Sequence, residues 1–391
     1  MNESSVQTKE RSAAGPSGRD AGALLSIDLD ALAANWRLLR DRAQGAECAA
    51  VIKADGYGIG LAPAAHSLSK AGCRTFFVAQ IAEAAAAREA CPDAIIYVLN
   101  GLLPGSASAY GALNLRPVLG SREEIGEWAA FNRIAATRLP AAIHVDTGMN
   151  RLGLRVDDAV ALKGDALLDD FEPALLMSHF VSSEVPDDPV NARQIDAFGT
   201  VRAAFPGLPA SLCNSSGIFL PQSPRLDIVR PGYALYGGNP TPHRDNPMQP
   251  VVRLQARVIQ VREADPGETV GYNGLWTAGG QRRLATLSVG YADGYPRAAS
   301  ATDVKTQTGA PVGEAIVDGR RCPFAGRVSM DLLSVDITDL PDNTVKRGDL
   351  VTLIGEGLDI DEVGRRAGTI GYEILTGLGR RYARTYTGGG A

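Results

Sequence analysis

The sequence predicts an α/β chain: an eight-stranded (β/α)8, TIM-like barrel followed by a mostly β C-terminal domain. Three observations predict it. Eight short apolar runs, at 49–54, 75–80, 94–100, 115–119, 141–146, 172–180, 210–214 and 226–230, each end in a polar or glycine turn, as buried parallel strands do. Ala-rich or amphipathic segments such as 81–90 and 122–134 lie between several of them and read as crossover helices, giving the repeat of a barrel. After Pro250 the helical texture gives way to alternation and turn signals.

In chain order, residues 1–22 are Ser, Gly, Ala and charge, and are expected to form a flexible tail. Ser26-Ile27-Asp28-Leu29 reads as a strand entering a helix, and Leu32, Trp36 and Leu39 at i, i+4 and i+7 give that helix one apolar face. The barrel is assigned to 23–250, with 237–250, which holds Pro240, Pro242 and Pro250, as the linker. The β domain is assigned to 251–391. There 251–261 alternates, Pro266-Gly267 and Asp318-Gly319 mark turns, and 286–289, 315–317, 332–337 and 350–354 read as strands. Helices are expected at 361–366 and 370–378.

Composition narrows the function classes. The 391 residues are 45% hydrophobic and 21% charged, enough apolar material for a large core. A net charge of −5 argues against general nucleic-acid binding, which needs a basic footprint, while leaving room for a local pocket that takes one small anion. The five cysteines form no C-x-x-C pair and the four histidines no H-E-x-x-H, so no metal site is expected and the thiols read as small buried hydrophobes. The N-terminal stretch has no apolar signal core and no run is long enough to span a bilayer, so a cytoplasmic protein without membrane partners is expected.

In such a barrel, chemistry lies where strands end. Lys53 ends the first predicted strand, within Val51-Ile52-Lys53-Ala54-Asp55-Gly56-Tyr57-Gly58-Ile59-Gly60. A lysine after a buried apolar strand loses solvation, its pKa falls, and a neutral amine suits Schiff-base chemistry; the glycines let the backbone approach a ligand. Alone, such a lysine is usually solvated or ion-paired. Other strand ends point to the same rim: His144-Val145-Asp146-Thr147-Gly148-Met149-Asn150-Arg151-Leu152-Gly153, Ser178-His179-Phe180, Asn214-Ser215-Ser216-Gly217 and Val229-Arg230-Pro231-Gly232-Tyr233. Arg151 and Arg230 suit a carboxylate or another anion, and Ser215, Gly217 and Gly232 suit a phosphate. Each has a structural alternative: a satisfied core histidine for His179, an ion pair for Arg230, a helix cap for Asn214-Ser215. Their convergence on one face favours function.

These runs, with Gly271-Tyr272, 290–294, 326–331 and 371–375, resemble the alanine racemases in order and approximate spacing from about Leu24 to the C-terminus. The resemblance implies a barrel followed by a β domain, a head-to-tail homodimer with shared active sites, pyridoxal 5'-phosphate as cofactor, and interconversion of L- and D-alanine by two-base proton transfer, supplying D-alanine for peptidoglycan. It further implies that Lys53 binds the cofactor covalently. Tyr57, Ser215, Gly232, Tyr233 and Tyr372 would hold its phosphate, and Arg230 would face the pyridine nitrogen and keep it unprotonated. Arg151 would support the substrate carboxylate and the cofactor's phenolic oxygen. Tyr272, Tyr291, Met330 and Asp331 would serve the substrate side of the site, with Tyr272, Tyr291 and Met330 reaching in from the partner subunit. Lys53 and Tyr272 would be the two bases. A phenol, with a reference pKa of about 10, needs a positive neighbour for this work, and His179 beside Arg230 is the expected one.

The sequence departs from that family's pattern in four places. Asp55-Gly56 replaces the common Asn-Ala, Ile59 a common His, Ser329 a common Cys, and His144 stands where many members carry a lysine that is carbamylated to orient Arg151. A bound anion, or His144 itself, is then expected to hold Arg151. Two rival readings stay in view: a racemase acting on serine or other small amino acids as well, and a non-catalytic cofactor-binding protein. Tyr272 and 326–331 argue against the second; Arg230 argues against a basic-amino-acid decarboxylase, which would place a carboxylate at that position.

Overall fold

The computed structural model describes residue 18 and residues 20–389. Most of the expected flexible tail therefore lies outside the described residues. The part that is described is tied down: Arg257 donates from Nη2 to the Gly18 carbonyl (3.0 Å) and from Nε to that of Ala21 (3.3 Å). The chain divides into two compact units. One comprises Ile27–Arg253, Ile354–Leu378 and the residues from Tyr386 onward; the other comprises Leu254–Leu353, Gly379–Thr385 and the residues up to Ser26. Residues 354–378, expected in the β domain, thus cluster with 27–253.

The first unit is built on a curled parallel sheet. Strands Ala50–Val51, Thr75–Val78, Ile95–Val98, Arg116–Leu119, Pro140–His144, Glu172–Met177 and Ala210–Ser211 pair in sequence order. Ile228–Val229 pairs in parallel with Glu47–Cys48, just upstream of the first of these. Backbone bonds continue on both sides of it: Asp227 and Arg230 donate to Ala210 and Cys213 (3.1 and 2.9 Å), and Glu47 and Ala49 donate to Asp227 and Val229 (2.8 and 3.0 Å). All eight sites expected to hold strands hold them, but shorter, because the last apolar residues of most runs curl away into the loops. Phe76, Phe77 and Val78 are buried side by side, as expected of strands covered on both faces.

Helix Leu29–Arg42 starts where Asp28 accepts the Ala31 N–H (2.8 Å), and it buries Leu32, Trp36 and Leu39 along one stripe. Near the C-terminus, Ile360–Arg366 is capped by Asp359 (2.7 Å to the Glu362 N–H) and is followed by Gly371–Thr376. The linker 237–250 is held by Asn35, whose amide donates to Leu235 and Gln249.

In the second unit, Val252–Ala264 pairs antiparallel with Arg282–Leu287, and that strand with Leu333–Asp336. Glu314–Val317 pairs with Arg320–Pro323 across the Asp318-Gly319 turn, where both residues have positive φ (48° and 74°), as a tight hairpin requires. Two strands escaped the sequence reading: Arg320–Pro323, which is charged and proline-ended, and Ala383–Thr387, whose outer residues are exposed. The strand expected at 286–289 begins earlier, at Arg282, because its arginines are paired: Arg282 with Asp336 (3.4 Å) and Arg283 with Asp342. Among the described residues, no helix is long and apolar enough to cross a membrane.

Gly58 tests the packing of the first unit. Its φ is +83°, and a Cβ there would lie 2.0 Å from the Leu375 carbonyl oxygen. Gly105 has a similar φ of +78° but open space around it. We expect Gly58→Ala to cost about 2 kcal/mol or more and Gly105→Ala about 1 kcal/mol, read as a clearly larger fall in melting temperature for the first.

Candidate active site

Lys53 sits where the first strand breaks into a turn of the wrong hand. Ala54, Asp55, Gly56 and Tyr57 all have positive φ (54°, 54°, 62° and 52°). For residues with a Cβ this conformation costs roughly 1–2 kcal/mol each, so the turn must be held from outside. Gly56 donates to Ile52 (3.0 Å), Gly58 to Ala54 (2.8 Å) and Gly60 to Asp55 (2.8 Å). The Asp55 carboxylate accepts the N–H of Leu61 (2.8 Å), the first residue of helix Leu61–Ala71. The Asp55-Gly56 departure thus has a local reason: the aspartate caps the next helix, and the glycine relieves one left-handed position. Glu83 accepts the Ala54 N–H at 2.6 Å. Burial holds the Lys53 amine below its usual pKa; Arg151 and Arg230 push it the same way, and Glu83 opposes them.

The lysine opens onto a cavity of about 490 Å³ lined by Tyr57, His179, Asn214, Ser215, Arg230, Gly232, Tyr233 and Tyr372. Tyr57 stacks on Tyr236 (4.5 Å between ring centroids), whose hydroxyl donates to Val51 (3.0 Å). Gly232 is obligatory, since a Cβ there would lie 2.3 Å from the Tyr57 hydroxyl. Ser215 Oγ accepts the N–H groups of Gly232 and Ala234 (3.0 and 3.2 Å), which leaves its hydroxyl proton to offer. The Tyr233 hydroxyl is spent on Asp361 (2.7 Å), so Tyr233 has its backbone N–H to contribute, not its phenol. Its ring stacks on Tyr372 (3.9 Å) and fixes that side chain at the mouth. Burial raises the pKa of Tyr57, and raises that of Tyr372 to about 12, so both hydroxyls remain donors at neutral pH.

Arg230 is buried, 3% exposed, with neutral partners: Ser211 Oγ, the Ser178 carbonyl (2.6 Å) and His179 Nδ1 (3.3 Å). Desolvation lowers its pKa to about 10, which still leaves a full charge at pH 7. That charge reshapes its neighbours. Burial first, then Arg230, Lys53, Arg151 and His144, drive His179 to about 3; burial and Arg230 drive His144 to about 4. The expectation that His179 lends a positive charge to a tyrosine base is therefore corrected: the ring is neutral, and with Nδ1 accepting from Arg230 it offers an Nε2 proton instead.

Arg151 stands exposed on a loop pinned at both ends. Asp146 accepts the N–H groups of Gly148 and Met149 (2.9 and 2.8 Å), and Leu154 donates back to His144 (2.9 Å). Among the described residues, no hydrogen bond engages the Arg151 guanidinium, and His144 bonds to Leu154 through its backbone. Gln194, buried in helix Pro189–Ala204, ties this loop to the neighbouring strand end: its amide donates to Thr147 Oγ1 (3.0 Å) and the His179 carbonyl (2.9 Å) and accepts from Val181 (2.9 Å).

The remaining candidates lie in the other unit. Tyr272 is 68% exposed, after Gly271 (φ +76°), beside a hollow of about 440 Å³ that Arg327 and Ser329 also line. Tyr291 and Met330 are exposed neighbours: Tyr291 and Ala292 donate to the carbonyls of Ser329 and Met330 (both 3.0 Å), and Gly290 leaves no room for a Cβ between them. Asp331 pairs with Arg381 (2.8 Å), which also pairs with buried Asp293 (3.0 Å). Among the described residues, no three His, Cys, Asp or Glu side chains are grouped to hold a metal.

Residues 27–240 match the alanine racemase N-terminal domain and residues 251–386 the alanine racemase C-terminal domain. The chain belongs to the alanine racemase family. It is 64% identical over 365 residues to an alanine racemase of Methylobacterium sp. (strain 4-46), covering 93% of this chain and 98% of that one. Two proteins of Agrobacterium fabrum, named as biosynthetic and catabolic alanine racemases, are 45% and 44% identical over 93% and 97% of this chain, and 93% and 94% of their own. The crystal structure of alanine racemase from Bartonella henselae with covalently bound pyridoxal phosphate superposes with a TM-score of 0.88 at 38% identity, covering 94% of this chain and all of that one. The enzyme is an isomerase that interconverts L- and D-alanine.

The neutral histidines make stability depend on pH. Their folded-state pKa values lie below the 6.5 of the free side chain, so the unfolded chain takes up protons that the native state refuses. We expect stability from these groups to be intact above pH ~7 and to fall as the pH drops from about 6.5 towards 4. Melting temperatures read between pH 7 and 5 should fall less for His144→Asn than for the parent. An equal fall contradicts the assignment.

Proposed function

We propose that the cavity beside Lys53 is the catalytic site, holding pyridoxal 5'-phosphate through Lys53 and working with Tyr272 of a second copy of the chain. The observation that carries this is a half-buried lysine of lowered pKa facing, across one cavity, a buried arginine whose partners are neutral and a cluster of hydroxyl donors. The donor set fits the group. Tyr57, Ser215 and Tyr372 offer hydroxyls, and Tyr233 its N–H, to a phosphate; the missing Cβ of Gly232 leaves the cradle open. When bound, the cofactor supplies a conjugated, electron-withdrawing system that makes the substrate Cα–H acidic.

What remains is done by side chains. Lys53 Nζ, its pKa lowered by burial, takes or returns a proton on one face of Cα; the Tyr272 hydroxyl does so on the opposite face. Arg151, unpaired and exposed, meets the substrate carboxylate. Arg230, charged at neutral pH, would stand near the cofactor's pyridine nitrogen and disfavour its protonation. Tyr291, Met330 and Asp331 shape the entrance.

Closure of the sheet into a complete eight-stranded barrel is supported by the backbone bonds that flank Ile228–Val229 on both sides. A homodimer with shared sites is supported by the exposure of Tyr272, Tyr291 and Met330 together on one unit. A cytoplasmic setting is supported by five buried free cysteines, and D-alanine supply to peptidoglycan by the biosynthetic Agrobacterium relative.

Three experiments test the reading. Lys53→Ala should lose the yellow colour of the covalently held cofactor and at least 1000-fold of activity. Mixing Lys53→Ala with Tyr272→Phe subunits, under conditions where exchange is demonstrated, should restore one competent site per heterodimer; no recovery overturns the shared site. Racemisation of L-serine or L-lysine as fast as L-alanine would overturn the narrow specificity.

A further inference from the structure

Both carboxylate oxygens of Glu83 are occupied by backbone. Oε1 accepts the Ala54 N–H (2.6 Å), while Oε2 accepts the N–H groups of Ala79 (2.8 Å) and Gln80 (3.2 Å). Ala54 directly follows Lys53, and Ala79-Gln80 directly follows strand Thr75–Val78. One side chain at the start of helix Ile81–Ala90 therefore fastens the end of the neighbouring strand to the first left-handed residue after the lysine. Before the lysine, the Ile52 N–H donates to the Phe77 carbonyl (2.9 Å) and ties that end of the segment to the neighbouring strand; after it, Gly56, Gly58 and Gly60 donate within 52–61, and the Ile59 carbonyl accepts from the Tyr386 hydroxyl (2.7 Å). Glu83 supplies a tie to the neighbouring strand on the other side of Lys53.

We propose that Glu83 is a positioning residue for Lys53: by holding the Ala54 N–H against the end of the neighbouring strand, its carboxylate fixes where the lysine amine stands. The charged bond suits the task, since bonds from backbone N–H to a carboxylate are shorter and stronger than neutral ones. Its charge has a second effect. The charged groups that act on the Lys53 amine are Arg151 from the loop after Pro140–His144, Arg230 after Ile228–Val229, and Glu83, while His179 after Glu172–Met177 lines the same cavity. Two of these are cations and His179 is neutral, so Glu83 is the negative counterweight in the set. The inference rests on the reading of Lys53 as the cofactor lysine and catalytic base.

Glu83→Gln keeps the size and the helix but leaves one oxygen for two segments, with an NH2 facing the N–H of the other. In the full-length enzyme loaded with cofactor we expect kcat for alanine racemisation to fall tenfold or more and KM to stay within twofold. In the same chain freed of cofactor, the pH midpoint for reductive methylation of Lys53, followed by peptide mass spectrometry, should move to lower pH. Glu83→Asp, which keeps the charge and shortens the reach by one methylene, should lose a similar share of kcat with a smaller movement of that midpoint. A Glu83→Gln enzyme with kcat within twofold of the parent overturns the proposal. So does one whose kcat falls with the Lys53 midpoint unmoved, because Glu83 would then merely support the fold. Lys53→Ala run alongside separates the two readings: if it retains activity, the lysine assignment fails, whatever Glu83 does.

Discussion

The site is organised around a buried guanidinium. Arg230 keeps its charge under desolvation because three neutral groups hold its nitrogens, while the groups around it adjust instead. His179 and His144 stay neutral, and Lys53 is discouraged from holding its proton. A carboxylate in place of Ser211 or Ser178 would relieve Arg230 and return those groups towards their ordinary behaviour. The polarity of the whole cavity therefore follows from leaving one cation without a counter-ion. This is costly to bury, and such arrangements concentrate where chemistry is performed.

Around that charge, the backbone supplies precision through strain and through missing side chains. The left-handed turn from Ala54 to Tyr57 is stable only because Asp55, Glu83 and the strand beside it hold it from several directions. Gly232 and Gly58 act by what they lack, the first admitting the Tyr57 hydroxyl and the second the Leu375 carbonyl. Tyr236, Tyr57, Tyr372 and Tyr233 form stacked or tilted neighbours, so the hydroxyls offered to an anion rest on rigid rings.

Much of this was legible in the sequence. The eight strand positions stood out because buried parallel strands are continuous apolar runs, and Lys53, His179 and Arg230 stood out because each ends one of them. What escaped reading depends on contacts distant in sequence. Gln194 gives no local sign that its amide will join two strand-end loops, and nothing near Asp361 shows that it will take the Tyr233 hydroxyl. Arg320–Pro323 was hidden because a hairpin strand exposed on one side carries arginines where apolar residues would mark it. Glu83 left a partial trace, as the third helical residue after Gln80, where a carboxylate caps its own helix; its reach to Ala54 did not. The charge of His179 was misjudged because the depth of its burial, the largest cause, and the added push of Lys53 and Arg151 show only in the folded site.

The central claim is that two different bases, Lys53 and Tyr272, work on opposite faces of the same carbon. The most direct measurement is the fate of the Cα hydrogen when the enzyme turns over L-alanine, and separately D-alanine, in heavy water at low conversion. Two bases that do not share a proton require product alanine to carry solvent deuterium at Cα in both directions while the unconverted substrate keeps its hydrogen. Product that retains the substrate's own hydrogen in a substantial fraction would show one base delivering the proton it removed, and would contradict the account.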